Sequence, residues 1–432
     1  MREQKRNRGR LVGILLFIIL LEIIALAGIL IYHAMLVRDG IPTAVDTRAE
    51  AAAESAREPE AAREPTPTPE PAPEPTPEPT PEPTPEPTPK PSAAETLLQN
   101  MTLREKVCQM IFVAPSALEP STYRTVEPGM ASALEQYPVG GVFLNASNMT
   151  SREQVAALID DLQSYSDIPL LVTCDEEGGT VARLMSTVGT TYVGPMLSYK
   201  DDGTDTAFRN AETIGGDMAA LGFNLDLAPV ADVWSNPGNT VIGNRAYSDD
   251  FGQAAELVAA AVEGFHSGGV ACTLKHFPGH GDTSEDSHYG SAYVYKTLDE
   301  LRENELLPFQ AGIDAGADAV MVGHLIVTDV ESEPALFSHT LLTELLRGEM
   351  GFTGVIVTDA LEMQALSDHY GTGEIAVRAV SAGVDMLLCP TSLDTAVNAL
   401  VEAVESGEIP EARIDESVLR ILTLKEIYTA LR

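Results

Sequence analysis

The residues of this chain best able to do chemistry crowd into one stretch, Lys275-His276-Phe277-Pro278-Gly279-His280-Gly281-Asp282-Thr283-Ser284-Glu285-Asp286-Ser287-His288. Three of the eight histidines fall within thirteen residues, interleaved with three acids, a lysine, a proline and two glycines. Asp286 and His288 are two apart, close enough to hydrogen-bond through a compact turn. A carboxylate so placed fixes an imidazole tautomer and raises its basicity, giving a general acid/base that titrates near neutrality; the alternative is an ordinary loop hydrogen bond. Other candidates stand just after apolar runs. Asp175, with Arg183 eight residues on, either clamps a polar ligand or pairs internally. Asp232 leads to Asn244-Arg245, and His324 ends another run. Asp359 follows Gly354-Val355-Ile356-Val357-Thr358, and a carboxylate there is either structurally paired or a nucleophile or base. Lys275-His276 would donate to ligand hydroxyls, or do nothing special. His276, His280, Asp282, Asp286 and His288 also admit a metal-dependent hydrolase. No HxxxH on a helical stretch and no HxH at a first-strand end supports it, so neither metal nor cofactor is expected.

The elements that must position these groups alternate. Apolar, strand-like runs occupy 110–114, 141–144, 170–174, 224–229, 271–275, 319–323, 355–358 and 386–389. Helical patterns lie between most of them, at 152–165, 207–221, 253–265, 298–315, 341–347, 374–382 and 394–405, with a closing helix over 415–430. Eight such units predict an α/β fold, a single (β/α)8 TIM-type barrel over 93–432, whose strand ends would deliver the polar residues to one mouth. A doubly wound open sheet would want a glycine-rich phosphate loop after its first strand, and none is there. The Pro278–Gly281 turn reads as a hinge between the strand end and the Asp286/His288 loop.

Ahead of the barrel the composition changes twice. Residues 1–10 carry five Arg/Lys against one Glu, and 11–37 are almost wholly apolar apart from Glu22. Twenty-seven such residues exceed the ~20 that cross a bilayer, so the expectation is a transmembrane signal anchor preceding the fold. Its N-terminus would be cytoplasmic and the catalytic domain extracytoplasmic, held at the cell membrane by a single pass. Residues 38–92 turn into repeated Pro-Glu-Pro-Thr units, which favour extended polyproline II and read as a disordered linker. The formal charge of −37 becomes −41 beyond residue 10, which argues against any nucleic-acid partner. Cys108, Cys174, Cys272 and Cys389 show no ligand spacing and read as buried thiols. Nothing in the sequence sets an oligomeric state.

The loop from Lys275 to Thr283, continued by Asp286-Ser287-His288, resembles the signature of glycoside hydrolase family 3 β-N-acetylglucosaminidases, the peptidoglycan-recycling enzymes included. Asp175-x-Glu177-Gly178-Gly179, Gly243-Asn244-Arg245 and Thr358-Asp359-Ala360-Leu361-x-Met363 follow the same pattern, and the resemblance runs from about residue 97 to 432. It implies a retaining exo-β-N-acetylglucosaminidase acting on a carbohydrate substrate, terminal β-GlcNAc of GlcNAc-MurNAc fragments. In that reading Asp359 is the nucleophile that forms a glycosyl-enzyme, His288 the acid/base and Asp286 its partner. Asp175, Arg183, Arg245, Lys275 and His276 match positions that bind the sugar. This chain departs from the pattern at Glu176 and Thr180, where relatives commonly have Gln and Arg. Phosphorolysis, a β-glucosidase of the same family, or an inactive wall-binding module are the alternatives.

Overall fold

The computed structural model describes residues 91–283 and 292–431, which belong to one compact unit, Glu86–Arg432. Eight parallel strands form its centre: β1 (Ile111–Val113), β2 (Gly141–Phe143), β3 (Leu171–Cys174), β4 (Leu225–Asp226), β5 (Ala271–Phe277), β6 (Ala319–Val322), β7 (Val355–Thr358) and β8 (Leu387–Leu388). Their order is β7-β6-β5-β4-β3-β2-β1-β8, so each strand lies beside its sequence neighbour and β8 returns to β1. Between β7 and β8 only one backbone bridge forms, Val357 with Met386. The barrel is nearly closed.

The reason these segments are strands is burial on both faces. β1, β3, β6 and β7 are buried throughout, and crossover helices pack outside them. Helix starts are written into the sequence: Thr102 with Glu105 and Thr297 with Glu300 form reciprocal capping boxes. One close helix pair is Thr204–Ala219 on Phe251–Gly268. A Cβ on Gly264 would lie 2.3 Å from the Phe208 carbonyl oxygen, so glycine permits that approach.

Three expectations need correction. A barrel preceded by a membrane-spanning helix is not what is found: among the described residues no helix is long and apolar enough to cross a membrane. Residues 11–37 and the 38–92 linker, to which that expectation belonged, lie outside the described residues apart from 91 and 92. The helix expected over 298–315 is two helices, Leu298–Glu303 and Leu306–Asp314. Pro308 sits in the first turn of the second, where its missing N–H does no harm; within one continuous helix its ring would clash with the Asn304 carbonyl. The stretch expected as a helix at 341–347 is a π-helix, Thr340–Glu349. All four cysteines are buried free thiols.

Candidate active site

The C-terminal strand ends meet around a cavity of about 460 Å³, lined by Asp175, Glu177, Arg183, Arg245, Lys275, His276, His280 and Asp359 together with apolar walls such as Met321 and Leu388. Six of the eight expected site residues are therefore brought together: Asp175, Arg183, Arg245, Lys275, His276 and Asp359. Asp286 and His288 belong to 284–291, outside the described residues.

Lys275 is the hinge of the charge network. It is buried near the end of β5, and its Nζ lies 2.8 Å from Asp175 Oδ1 and 2.6 Å from Glu177 Oε1. Glu177 also takes both prongs of Arg245, Nε to Oε2 and Nη2 to Oε1, each at 2.7 Å. Such a fork supplies direction as well as attraction. Burial alone would push Glu177 up, yet Arg245 and Lys275 hold it down at about 2. Burial would drive Lys275 down, and Asp175 and Glu177 instead raise it above the ordinary lysine value. Arg183 stands further off, its Nη2 4.0 Å from Asp175 Oδ2, with its side chain partly open to the cavity.

His276 is oriented from behind. Its Nδ1 lies 2.7 Å from Asp232 Oδ2, and that carboxylate is wholly buried. With Nδ1–H donating, Nε2 is the nitrogen left for the cavity. Asp232 also accepts the backbone N–H groups of His276 at 3.1 Å and His280 at 2.6 Å. Asn239 Nδ2 donates to the His280 carbonyl at 2.8 Å, and the Asn236 N–H to that of Gly281 at 3.4 Å. The Pro278–Gly281 turn is thus buried and tied on both sides. The turn expected to act as a hinge is packed into the wall and hydrogen-bonded to Asp232, Asn236 and Asn239.

Asp359 follows β7. Its Oδ1 accepts the Ala360 N–H at 2.7 Å, and the Ala360 carbonyl is 3.0 Å from His324 Nε2. Burial opposes its ionisation, but His324, His276, the Ala360 amide and Lys275 together keep it below the ordinary carboxylate range. A half-buried carboxylate kept anionic by neighbouring cations and dipoles can attack an electrophilic carbon or stabilise a developing cation.

Sequence reasoning left out Glu177 and Asp232 as site residues. Both stand in the same strand-end positions as the chosen ones, and that rule alone would have included them. The metal reading rested on His276, His280, Asp282, Asp286 and His288. Among the described residues the one His/Cys/acid group near enough to share an ion is different: His266, Cys272 and Asp318. There the His266 Nε2 and the Cys272 N–H already meet Asp318 Oδ2, at 2.8 and 3.0 Å.

A parallel barrel whose mouth gathers an anionic carboxylate and a set of paired charges fits a glycosidase. The Glycosyl hydrolase family 3 N terminal domain matches residues 102–424, and the chain belongs to this family. It is 33% identical to Beta-hexosaminidase A of Pseudoalteromonas piscicida over 70% of this chain and 55% of that one, so it spans about half that relative's length. Beta-hexosaminidase of Stenotrophomonas maltophilia (strain K279a) is 40% identical over 62% of this chain and 81% of its own. Among solved structures, a glycoside hydrolase family 3 beta-N-acetylglucosaminidase from Paenibacillus sp. str. FPU-7 superposes with a TM-score of 0.72 at 41% identity. That match covers 76% of this chain and 63% of that one.

Proposed function

We propose that the chain is a retaining exo-β-N-acetylglucosaminidase. The observation that carries this reading is Asp359, half-buried at the cavity wall yet held anionic. Its carboxylate attacks the anomeric carbon of a terminal β-GlcNAc as the C–O bond to the leaving group breaks. His288, with Asp286 as its partner, gives its proton to the departing oxygen and then takes one from the water that releases the sugar. The unperturbed imidazole pKa of ~6.5 suits both half-reactions near neutral pH. Asp175, Arg183, Lys275, His276 and Arg245 hold the non-reducing sugar, with Lys275 and Arg245 fixed in turn by Glu177. The substrate we assign is the GlcNAc-MurNAc unit of peptidoglycan fragments, following the resemblance of the Lys275–Asp286–His288 signature.

The test is p-nitrophenol release from the β-GlcNAc glycoside by the purified chain. Asp359→Asn should lower kcat by about 10³-fold or more, in line with the loss of a covalent nucleophile. Undiminished turnover in that variant would end the assignment. GlcNAc released from GlcNAc-MurNAc supports the substrate, while sugar-1-phosphate appearing only with added phosphate would replace hydrolysis by phosphorolysis.

A further inference from the structure

Arg183 reaches the cavity from the first position of a short helix, Arg183–Val188, that cannot cap itself. Its N-cap is Ala182, which has no side-chain acceptor. The open amides of a first helical turn must still find partners. The Arg183 N–H donates to the Asp175 carbonyl at 3.2 Å. The next two donate to one side chain, that of Glu176: Leu184 N to Oε2 at 2.6 Å and Met185 N to Oε1 at 3.0 Å. Glu176 is buried and is itself fixed, its N–H donating to Asp226 Oδ1 at 3.1 Å. The residue lies between Asp175 and Glu177, both of which face the sugar cavity, yet its own carboxylate turns away toward the helix.

We infer that Glu176 is a positioning residue for the sugar site: by accepting both amides of the first helical turn it fixes Arg183 over the cavity, and it does so fully only as a carboxylate. This rests on the reading that Arg183 contacts the sugar. A carboxylate offers both oxygens as acceptors, whereas the neutral acid turns one into a donor facing an N–H. One of the two amides then loses its partner, and the turn that carries Arg183 loosens. The groups around Glu176 are Arg183 on the helix it caps, Asp217 on the helix Thr204–Ala219, Asp226 on β4, and neighbouring Asp175. Burial raises the Glu176 carboxyl to about 7, against the pull of the two amides and Arg183 and with Asp217 pushing the same way as burial. Burial also raises Asp226 well above the carboxylate range. Both forms of Glu176 are therefore populated near neutrality, and Arg183 is held best above it.

The experiment compares the whole chain with Glu176→Gln and Glu176→Ala. Its first readout is backbone hydrogen exchange over 183–188, which needs no substrate. Protection there should fall in Glu176→Ala, and in the unaltered chain it should fall as pH drops through about 7. In Glu176→Gln it should lack that step, because an amide side chain does not titrate. The second readout is β-GlcNAc glycoside hydrolysis from pH 5.5 to 8.5. Misplacing a binding group by about an ångström costs up to ~100-fold, so KM should rise about tenfold in Glu176→Ala while kcat changes less than threefold. Glu176→Gln, whose amide nitrogen faces one of the two N–H groups as the neutral acid's hydroxyl does, should hold KM near the unaltered chain's acid-side level across the whole range. Exchange over 183–188 that is indifferent to both substitutions and to pH would overturn the proposal, as would a loss in kcat with KM unmoved. An unaltered chain that hydrolyses no β-GlcNAc would sink the proposed function instead, leaving the exchange result to decide the role of Glu176. If Glu176→Ala does not fold, the pH step present in the unaltered chain and absent from Glu176→Gln decides it alone.

Discussion

Lys275 and Lys425 are both sealed from water, and they behave in opposite ways. Lys275 sits at the barrel mouth between Asp175 and Glu177, which lift it above the ordinary lysine value against burial. Lys425, on the closing helix Glu411–Tyr428, has its Nζ 2.6 Å from the amide oxygen of Gln109. Gln109 is itself tied to the Pro138 carbonyl at 2.7 Å. With no carboxylate to answer it, burial takes Lys425 down to about 7. The same residue type, equally buried, is a permanent cation in one place and about half-charged near pH 7 in the other. What differs is the charge of the acceptor, not the depth. The mouth spends three paired charges, Lys275, Glu177 and Arg245, to hold a fixed field around Asp359, and such buried pairs are seldom the cheapest way to stabilise a fold.

The sharpest way to break this comparison is to remove each ammonium in turn. Lys275→Met should strand Asp175 and Glu177 beside a single remaining fork from Arg245. Breaking a buried pair in this way costs about 3–5 kcal/mol, so a large fall in denaturant midpoint together with near-complete loss of turnover is expected. Lys425→Met should do the reverse. Replacing it with an apolar chain of similar volume removes the desolvation cost of an uncompensated charge but leaves Gln109 Oε1 without this donor, a loss of about 1–3 kcal/mol, so a partial net gain below pH 7 with hydrolysis unchanged is expected. Destabilisation in both variants would mean that the acceptor is not what separates the two sites.

A subtler effect lies in pH. Because the folded value of Lys425 is below its unfolded 10.5, the unfolded chain binds the extra proton between about 7 and 10.5. Stability from this group therefore rises with pH across that window, by at most ~1.4 kcal/mol per unit. The advantage of Lys425→Met should be greatest below pH 7 and vanish above about 10.5, as read from urea midpoints of both proteins across the range. An advantage that is flat with pH would place the charge of Lys425 elsewhere.

How far the sequence could be read follows the same division. The eight strands were visible because full burial leaves uninterrupted apolar runs, such as 355–358 and 319–322. Asp359, Lys275 and His276 were visible because each ends such a run. Glu177 was not, since its role depends on Arg245, 68 positions away, and a single chain carries no mark of that pairing. Asp232 was passed over for the same reason: it matters through His276, 44 positions on. The hydrogen bonds between Pro278–Gly281 and Asn236, Asn239 and Asp232 were equally hidden, because a Gly/Pro turn carries no mark of its distant partners. Glu176 was noticed only as a departure from the family pattern, and the helix it caps reveals a use for it.

The return of β8 to β1 has a further consequence for the chain as a string. The first and last described helices lie side by side, with the Ala93 N–H 3.3 Å from Glu426 Oε1. A short engineered loop from Thr429 to Ser92 would join the two ends with little rearrangement, and the barrel could then be opened elsewhere, for example in the exposed turn around Gly407. Such a circular permutant should fold and keep its mouth intact. The order in which the strands are synthesised would then prove separable from the architecture they build.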